Sequence, residues 1–238
     1  MIRRTNSYVQ SMARTDHNPE NAAGASAQRE YERRRDARRH QARTRYGPLG
    51  AVVAALAGEP QSVHAWQQGA EGEAATARAL NTRLRTTDVI VIHDRRIPGR
   101  GRANIDHIAT GPAGITVIDT KSSRGRVQLS TVGIINRREQ LLINGRDRTS
   151  QLDSLERQVD RVAAVLDRNG HEDVSVLGAL CFPFMRRGFL HYSRAREGLI
   201  TVDDPARIAK LVARPGELNA RQIGELAQLL ERALPPAH

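Results

Sequence analysis

The sequence predicts an α/β protein with a mixed central sheet flanked by helices. Three observations carry this. An Ala- and Leu-bearing helical stripe over Gly69–Arg85 precedes three short β-branched strands. A second amphipathic helix, from about Arg148 to Arg168, follows them, with Leu152, Leu155, Val159, Val162 and Leu166 at helical spacing. The segment VSVLGALCF, Val174–Phe182, is apolar throughout, the pattern of a strand covered on both faces.

The chain has 238 residues, enough for one sizeable domain with extensions. Aromatic residues make up only 3%, so the core must come from Leu, Val, Ile and Ala. The net charge of +11 points to polyanionic partners, nucleic acid before an acidic membrane surface. Residues 1–46 form a basic arm with 11 Arg against 5 Asp and Glu, in which AQREYERRRDARRHQARTR reads as a charged helix or a disordered segment. Residues 47–65 form a peripheral apolar helix and linker. Its apolar run, Pro48–Gly58, falls short of the roughly 20 residues a bilayer span needs. The first residues carry no apolar stretch of signal-peptide length, and Cys181 is the one cysteine. Both fit a reducing cytoplasm, and the single thiol excludes an internal disulfide or a multi-cysteine metal knuckle.

The main domain is expected over 66–184. Asp88–Asp94 is its first strand and Pro98–Asn104 a basic loop. Ala103–Thr110 and Ile115–Lys121 are two further strands, joined by Gly111-Pro112-Ala113-Gly114. RVQLS and REQLLING read as a hairpin or two edge strands. Asn169-Gly170 stops the second long helix. Residues 185–238 form a helical extension packing on the core. It holds a small strand in GLITV and helices over Asp203–Ala213 and Asn219–Leu234.

The hairpin carries the chemistry. With Thr110 facing Ile115, Asp106 lies opposite Asp119 and Asn104 opposite Lys121. Side chains alternate along a strand, so Asp106, Asp119 and Lys121 share a face with Ile108, Val117 and Ile115. Two carboxylates about 5 Å apart on an apolar face repel and resist desolvation. A divalent cation between them offsets this, and oxygen-only ligands favour Mg²⁺ or Mn²⁺. Lys121 adds positive charge. Only Lys121 and Lys210 are lysines among 37 basic residues, which hints that Lys121 is used for its tunable point charge.

Glu73 lies on the buried stripe of the first helix with Ala77, Leu80 and Leu84, whereas Glu71 falls on a more exposed face. Gln151 and Gln158 flank the apolar stripe of the later helix, and either can reach a polar group at the sheet edge. His93 and His107 read as packed, hydrogen-bonded histidines. No Ser-His-Asp grouping emerges. An acid on a helix, an acid on a strand and Asp-x-Lys on the next strand suit metal-assisted phosphodiester hydrolysis.

GAEGE followed by NIDHIATGPAGITVIDTKSSRG resembles the nuclease-related domain, NERD, of the PD-(D/E)xK restriction-endonuclease-like superfamily. The resemblance spans roughly Trp66–Phe182. It implies a core of helix, three-stranded antiparallel meander, helix and strand. It places Asp106, Asp119 and Lys121 on the nuclease motif, Glu73 on the helix acid, and Gln158 rather than Gln151 on the later glutamine. The expected function is a Mg²⁺-dependent nuclease acting on DNA. Asp106 and Asp119 hold the metal, Glu73 and the Thr120 carbonyl add contacts, Lys121 serves the attacking water and Gln158 positions it. The arm and the Pro98–Arg102 loop would contact phosphates without reading sequence. The competing readings are a non-catalytic nucleic-acid-binding module, a regulatory interaction protein and a nucleotide phosphohydrolase.

Overall fold

The computed structural model describes residues 29, 32–33, 36–37, 61–97, 104–132, 138–185 and 193–237. The described residues of the basic arm are helical. The rest of the arm, the apolar run Pro48–Gly58 and the Pro98–Arg102 loop lie outside the described residues.

Helix α1 (Gln61–Leu84) reaches back to the residue after Pro60, because nothing in QSVHAWQQ breaks a helix. It leads into β1 (Ile90–Arg96), β2 (Asn104–Gly111) and β3 (Gly114–Thr120). Strands β4 (Val127–Val132), β5 (Arg138–Ile143) and β6 (Arg146–Asp147) follow, then α2 (Ser150–Asp167) and β7 (Val176–Cys181). The chain continues through β8 (Ser193–Ala195), β9 (Ile200–Asp203), α3 (Pro205–Val212) and α4 (Ala220–Ala233). Helix α3 is capped by the Asp204 carboxylate, and α4 by a reciprocal Asn219–Gln222 capping box.

The main sheet has six strands in the order β1-β2-β3-β7-β9-β8. Strands β1, β2 and β3 form the expected antiparallel meander, while β3, β7 and β9 run parallel. Strands β4, β5 and β6 make a separate antiparallel sheet. The segment after residue 184 is therefore more than a helical addition, since β9 and β8 extend the main sheet.

Strand alternation sends Ala109, Ile118, Ala179 and Cys181 to one face, where Leu80 and Leu84 of α1 and Ile208, Ala209 and Val212 of α3 cover them. Ile108, Ile115, Val117, Leu180 and Ile200 point to the other face, under α2, α4 and the small sheet. All five apolar positions predicted for α2 are buried there. A continuous apolar strand such as β7 is stable only between two such layers.

The hairpin register matches the expectation, with Thr110 paired to Ile115 and His107 to Ile118. Two details differ. Gly111 and Gly114 pair with each other, so the turn is Pro112-Ala113 alone. The β2–β3 ladder ends at His107 and Ile118, so the expected Asp106–Asp119 and Asn104–Lys121 positions lie beyond it and are not ladder pairs. Asn104 pairs with Arg96 of β1, and the Lys121 N–H donates to the Cys181 carbonyl across the parallel β3–β7 pair.

Candidate active site

The site lies where β3 runs out. The Thr120 N–H, which would have extended the ladder toward β2, donates instead to Asp106 Oδ2 at 2.7 Å. A side-chain carboxylate thus substitutes for a backbone acceptor, ending the β2–β3 pairing and fixing Asp106 beside the end of β3. Asp119 sits on the Val117 face of β3 and is 5% exposed. Its Oδ1 accepts from Lys121 Nζ at 2.8 Å.

Glu73 comes from the opposite layer. Gly72 makes this possible, because a Cβ there would stand 2.9 Å from Ser122 Cβ and 3.4 Å from Thr120 Cγ2. Helix α1 therefore touches the chain just past β3, which brings Glu73, half-buried, round the strand end, while Glu71 is exposed. Burial, then the charges of Glu73 and Asp119, push the Asp106 carboxyl well above the usual carboxylate range. Burial alone would lower Lys121, but the Asp119 charge and hydrogen bond, with Asp106 and Glu73, hold its ammonium above its ordinary value. Asp106, Asp119, Glu73 and Lys121 thus form one electrostatic unit.

Gln158 is not joined to that unit by a hydrogen bond. It lies on α2, the helix packed on β7 and β3, and its Oε1 is buried with no hydrogen-bond partner. Gln151 Oε1 is in the same condition. Each leaves a buried acceptor whose desolvation nothing in the protein offsets.

Behind the motif runs a chain that sequence spacing did not assemble. His93 and His107 meet through their Nδ1 atoms at 2.8 Å, and His107 Nε2 lies 3.2 Å from Thr120 Oγ1. Burial, then Arg95, lowers His93 to about 4, and burial, then His93, holds His107 well below its usual value. Both shifts favour the neutral imidazole, and an Nδ1–H on one ring can donate to the bare Nδ1 of the other. The sequence signal was present in the register, since His93 and His107 are cross-strand partners. Thr120 is fixed twice, through its N–H to Asp106 and its hydroxyl to His107.

The donor set consists of oxygens, which suits Mg²⁺ or Mn²⁺. Among the described residues, no three His, Cys, Asp or Glu side chains form a group that could enclose a metal ion. A divalent ion here would rest on two carboxylates, main-chain oxygen and water, which is how Mg²⁺ is usually held. The crowded Asp106 carboxyl is a group that such an ion would relieve, so the residues fit it.

A six-stranded mixed sheet with helices on both faces, and an acid-and-lysine site at the end of its third strand, define a restriction-endonuclease-like α/β protein. Residues 68–183 match the family model described as the nuclease-related domain, NERD. No curated protein and no solved structure matches the chain. No helix among the described residues is long and apolar enough to cross a membrane.

Proposed function

We propose that this protein is a metal-dependent nuclease that hydrolyses phosphodiester bonds in DNA in the cytoplasm. The observation that carries the proposal is the Lys121–Asp119 pair at 2.8 Å with the Asp106 carboxyl on the next backbone N–H. Asp106 and Asp119 would hold Mg²⁺ or Mn²⁺, with the Thr120 carbonyl and, through water, Glu73 completing the oxygen set. When bound, the ion polarises the phosphate and lowers the pKa of a coordinated water.

The protein's own groups do the rest. Lys121 keeps its proton, so it acts as a fixed positive charge that stabilises the developing phosphorane oxygens and orients the attacking water. Asp119 holds that ammonium in place. Gln158 offers its unpartnered Oε1 as an acceptor to position the nucleophile. The His93–His107–Thr120 chain anchors the backbone on which Asp119 and Lys121 stand.

The test is incubation of the full chain with plasmid, linear and single-stranded DNA, with and without Mg²⁺ or Mn²⁺, beside Asp119→Asn and Lys121→Ala. Metal-dependent cleavage is expected to fall by about 10²-fold or more in each variant. Cleavage that persists in both would overturn the assigned residues. Salt-sensitive binding without cleavage under every condition would assign the chain to a nucleic-acid-binding module.

A further inference from the structure

The small sheet β4-β5-β6 has no part in the catalytic reading, yet its turn end gathers four exposed cations. Arg124, Arg126, Arg146 and Arg148 are all exposed there. The backbone that carries them is tightly fixed. Asn144-Gly145, with φ of 50° and 75°, forms the two-residue turn between β5 and β6. The Asn144 side chain then clamps the strand opposite. Its Oδ1 accepts from the Arg126 N–H at 2.9 Å, and its Nδ2 donates to the Arg124 carbonyl at 2.8 Å. Gly125, at φ +115°, sits inside this clamp, where a Cβ would stand 2.3 Å from Asn144 Oδ1.

The sheet is also tied to the site. Gly125 bridges Met185 in parallel, which resumes the β3–β7 pairing beyond its interruption. The Arg124 guanidinium lies 4.9 Å from the centre of the Phe184 ring, which props it. Arg124 is three residues past Lys121, so their Cα atoms are at most about 10 Å apart. That reach is about three nucleotide steps along one strand of a duplex.

Several arginines elsewhere are matched by acids, although Arg78, Arg83, Arg85, Arg157, Arg168 and Arg232 are exposed and, like the cleat arginines, take part in none of the ion pairs among the described residues. Arg95 pairs with Glu231 and Arg221 with Glu225, while Arg196 draws on Glu139, Asp153 and Glu156. None of the ion pairs among the described residues involves Arg124, Arg146 or Arg148. The acid in their midst, Asp147, is held by Thr149 and Gln140 instead.

Resting on the nucleic-acid reading above, we propose that the turn end of this small sheet is a cleat for the sugar-phosphate backbone of the substrate, gripping it next to the cleavage site. The guanidiniums of Arg124, Arg146 and Arg148, outside any ion pair among the described residues and carried on a backbone that Asn144 holds, suit phosphate contact, which positions a duplex without reading its bases.

Binding of a short labelled DNA duplex is measured by fluorescence anisotropy across a salt series, with chelator present so that no strand is cut. Arg146→Ala/Arg148→Ala is expected to weaken binding at least tenfold near 0.1 M salt. It should also lower the slope of log Kd against log salt by about 2, and Arg124→Ala alone by about 1. The lysine versions should keep the slope, and Arg221→Ala should leave it at the wild-type value. Thermal unfolding checks that each variant is folded, and Arg124→Ala stands as an independent probe if the double variant is not. If the wild-type chain binds the duplex and both alanine variants keep its slope, the cleat is overturned while the nuclease reading stands. If the wild-type chain shows no salt-dependent affinity for DNA, the nucleic-acid reading itself fails. Polyglutamate competing as well as DNA would also overturn the assignment.

Discussion

Asp106 holds a desolvated carboxyl that faces two other acids. It accepts a structural hydrogen bond from Thr120 while facing Asp119 and Glu73, so the fold bears an electrostatic cost at this position. A carboxyl raised in this way binds a proton in the folded chain that the unfolded chain has released. Its contribution to stability therefore falls as pH rises from the ordinary carboxylate value of 3.8 through the raised folded value, and the cost is complete above that. Asp106→Asn keeps an acceptor for the Thr120 N–H and removes the charge. In chelator, urea denaturation is expected to show this variant more stable than wild type at neutral pH by about 1 kcal/mol. The gap should widen as pH rises above the ordinary carboxylate value of 3.8, and cleavage should be lost. A variant less stable at every pH would contradict this account of Asp106.

At the scale of elements, the site depends on how closely α1 approaches the end of β3. Gly72 sets that distance. Alanine in a helix interior normally gains about 1 kcal/mol over glycine. At position 72 the added methyl would meet Ser122 Cβ at 2.9 Å and its Cα at 3.2 Å, so the helix must tilt or the strand end must move. Gly72→Ala is therefore expected to show no gain in thermal stability and a drop in cleavage of about tenfold or more, because Glu73 moves with the helix. A variant both more stable and fully active would show that the close approach is incidental. The small sheet is the counterpart on the other side of the site, leaving β3 within a few residues of Lys121 and held by Asn144.

For the whole molecule, the family match and the folding unit are not the same length. The match ends at residue 183, but β7 pairs with β9, and β9 with β8. The last described residues also close the far edge of the sheet. The Arg96 N–H donates to the Pro235 carbonyl, and the Ala237 N–H to the Asp94 carbonyl. Arg29 of the basic arm reaches the same edge, at Asp94. A chain cut after Met185 would leave β7 as an exposed apolar edge and strip α3 and α4 from the two faces. It is expected to aggregate on expression or to lack a cooperative thermal transition, whereas the full chain unfolds in one step. A stable, monodisperse fragment would show that β8, β9 and the last helices are dispensable.

Local pattern was enough for the elements whose environment is simple. The β2–β3 register, the apolar stripe of α2 and the fully apolar β7 were legible because burial on one face or two writes a period into the sequence. Asp106, Asp119 and Lys121 were legible as a group because one hairpin holds them within a few residues. Glu73 could be assigned a face of its helix but not a neighbour, since its place beside Asp106 depends on the contact at Gly72 between elements far apart in the chain. The strand in GLITV and the β4–β5 hairpin were legible too, but that β9 joins the main sheet beside β7, that β8 extends it, that the hairpin stands in a sheet of its own, and that His93, His107 and Thr120 form a chain were decided only by tertiary structure. These depend on which elements pack together, and that is fixed by which surfaces are left to be covered once the local elements have formed.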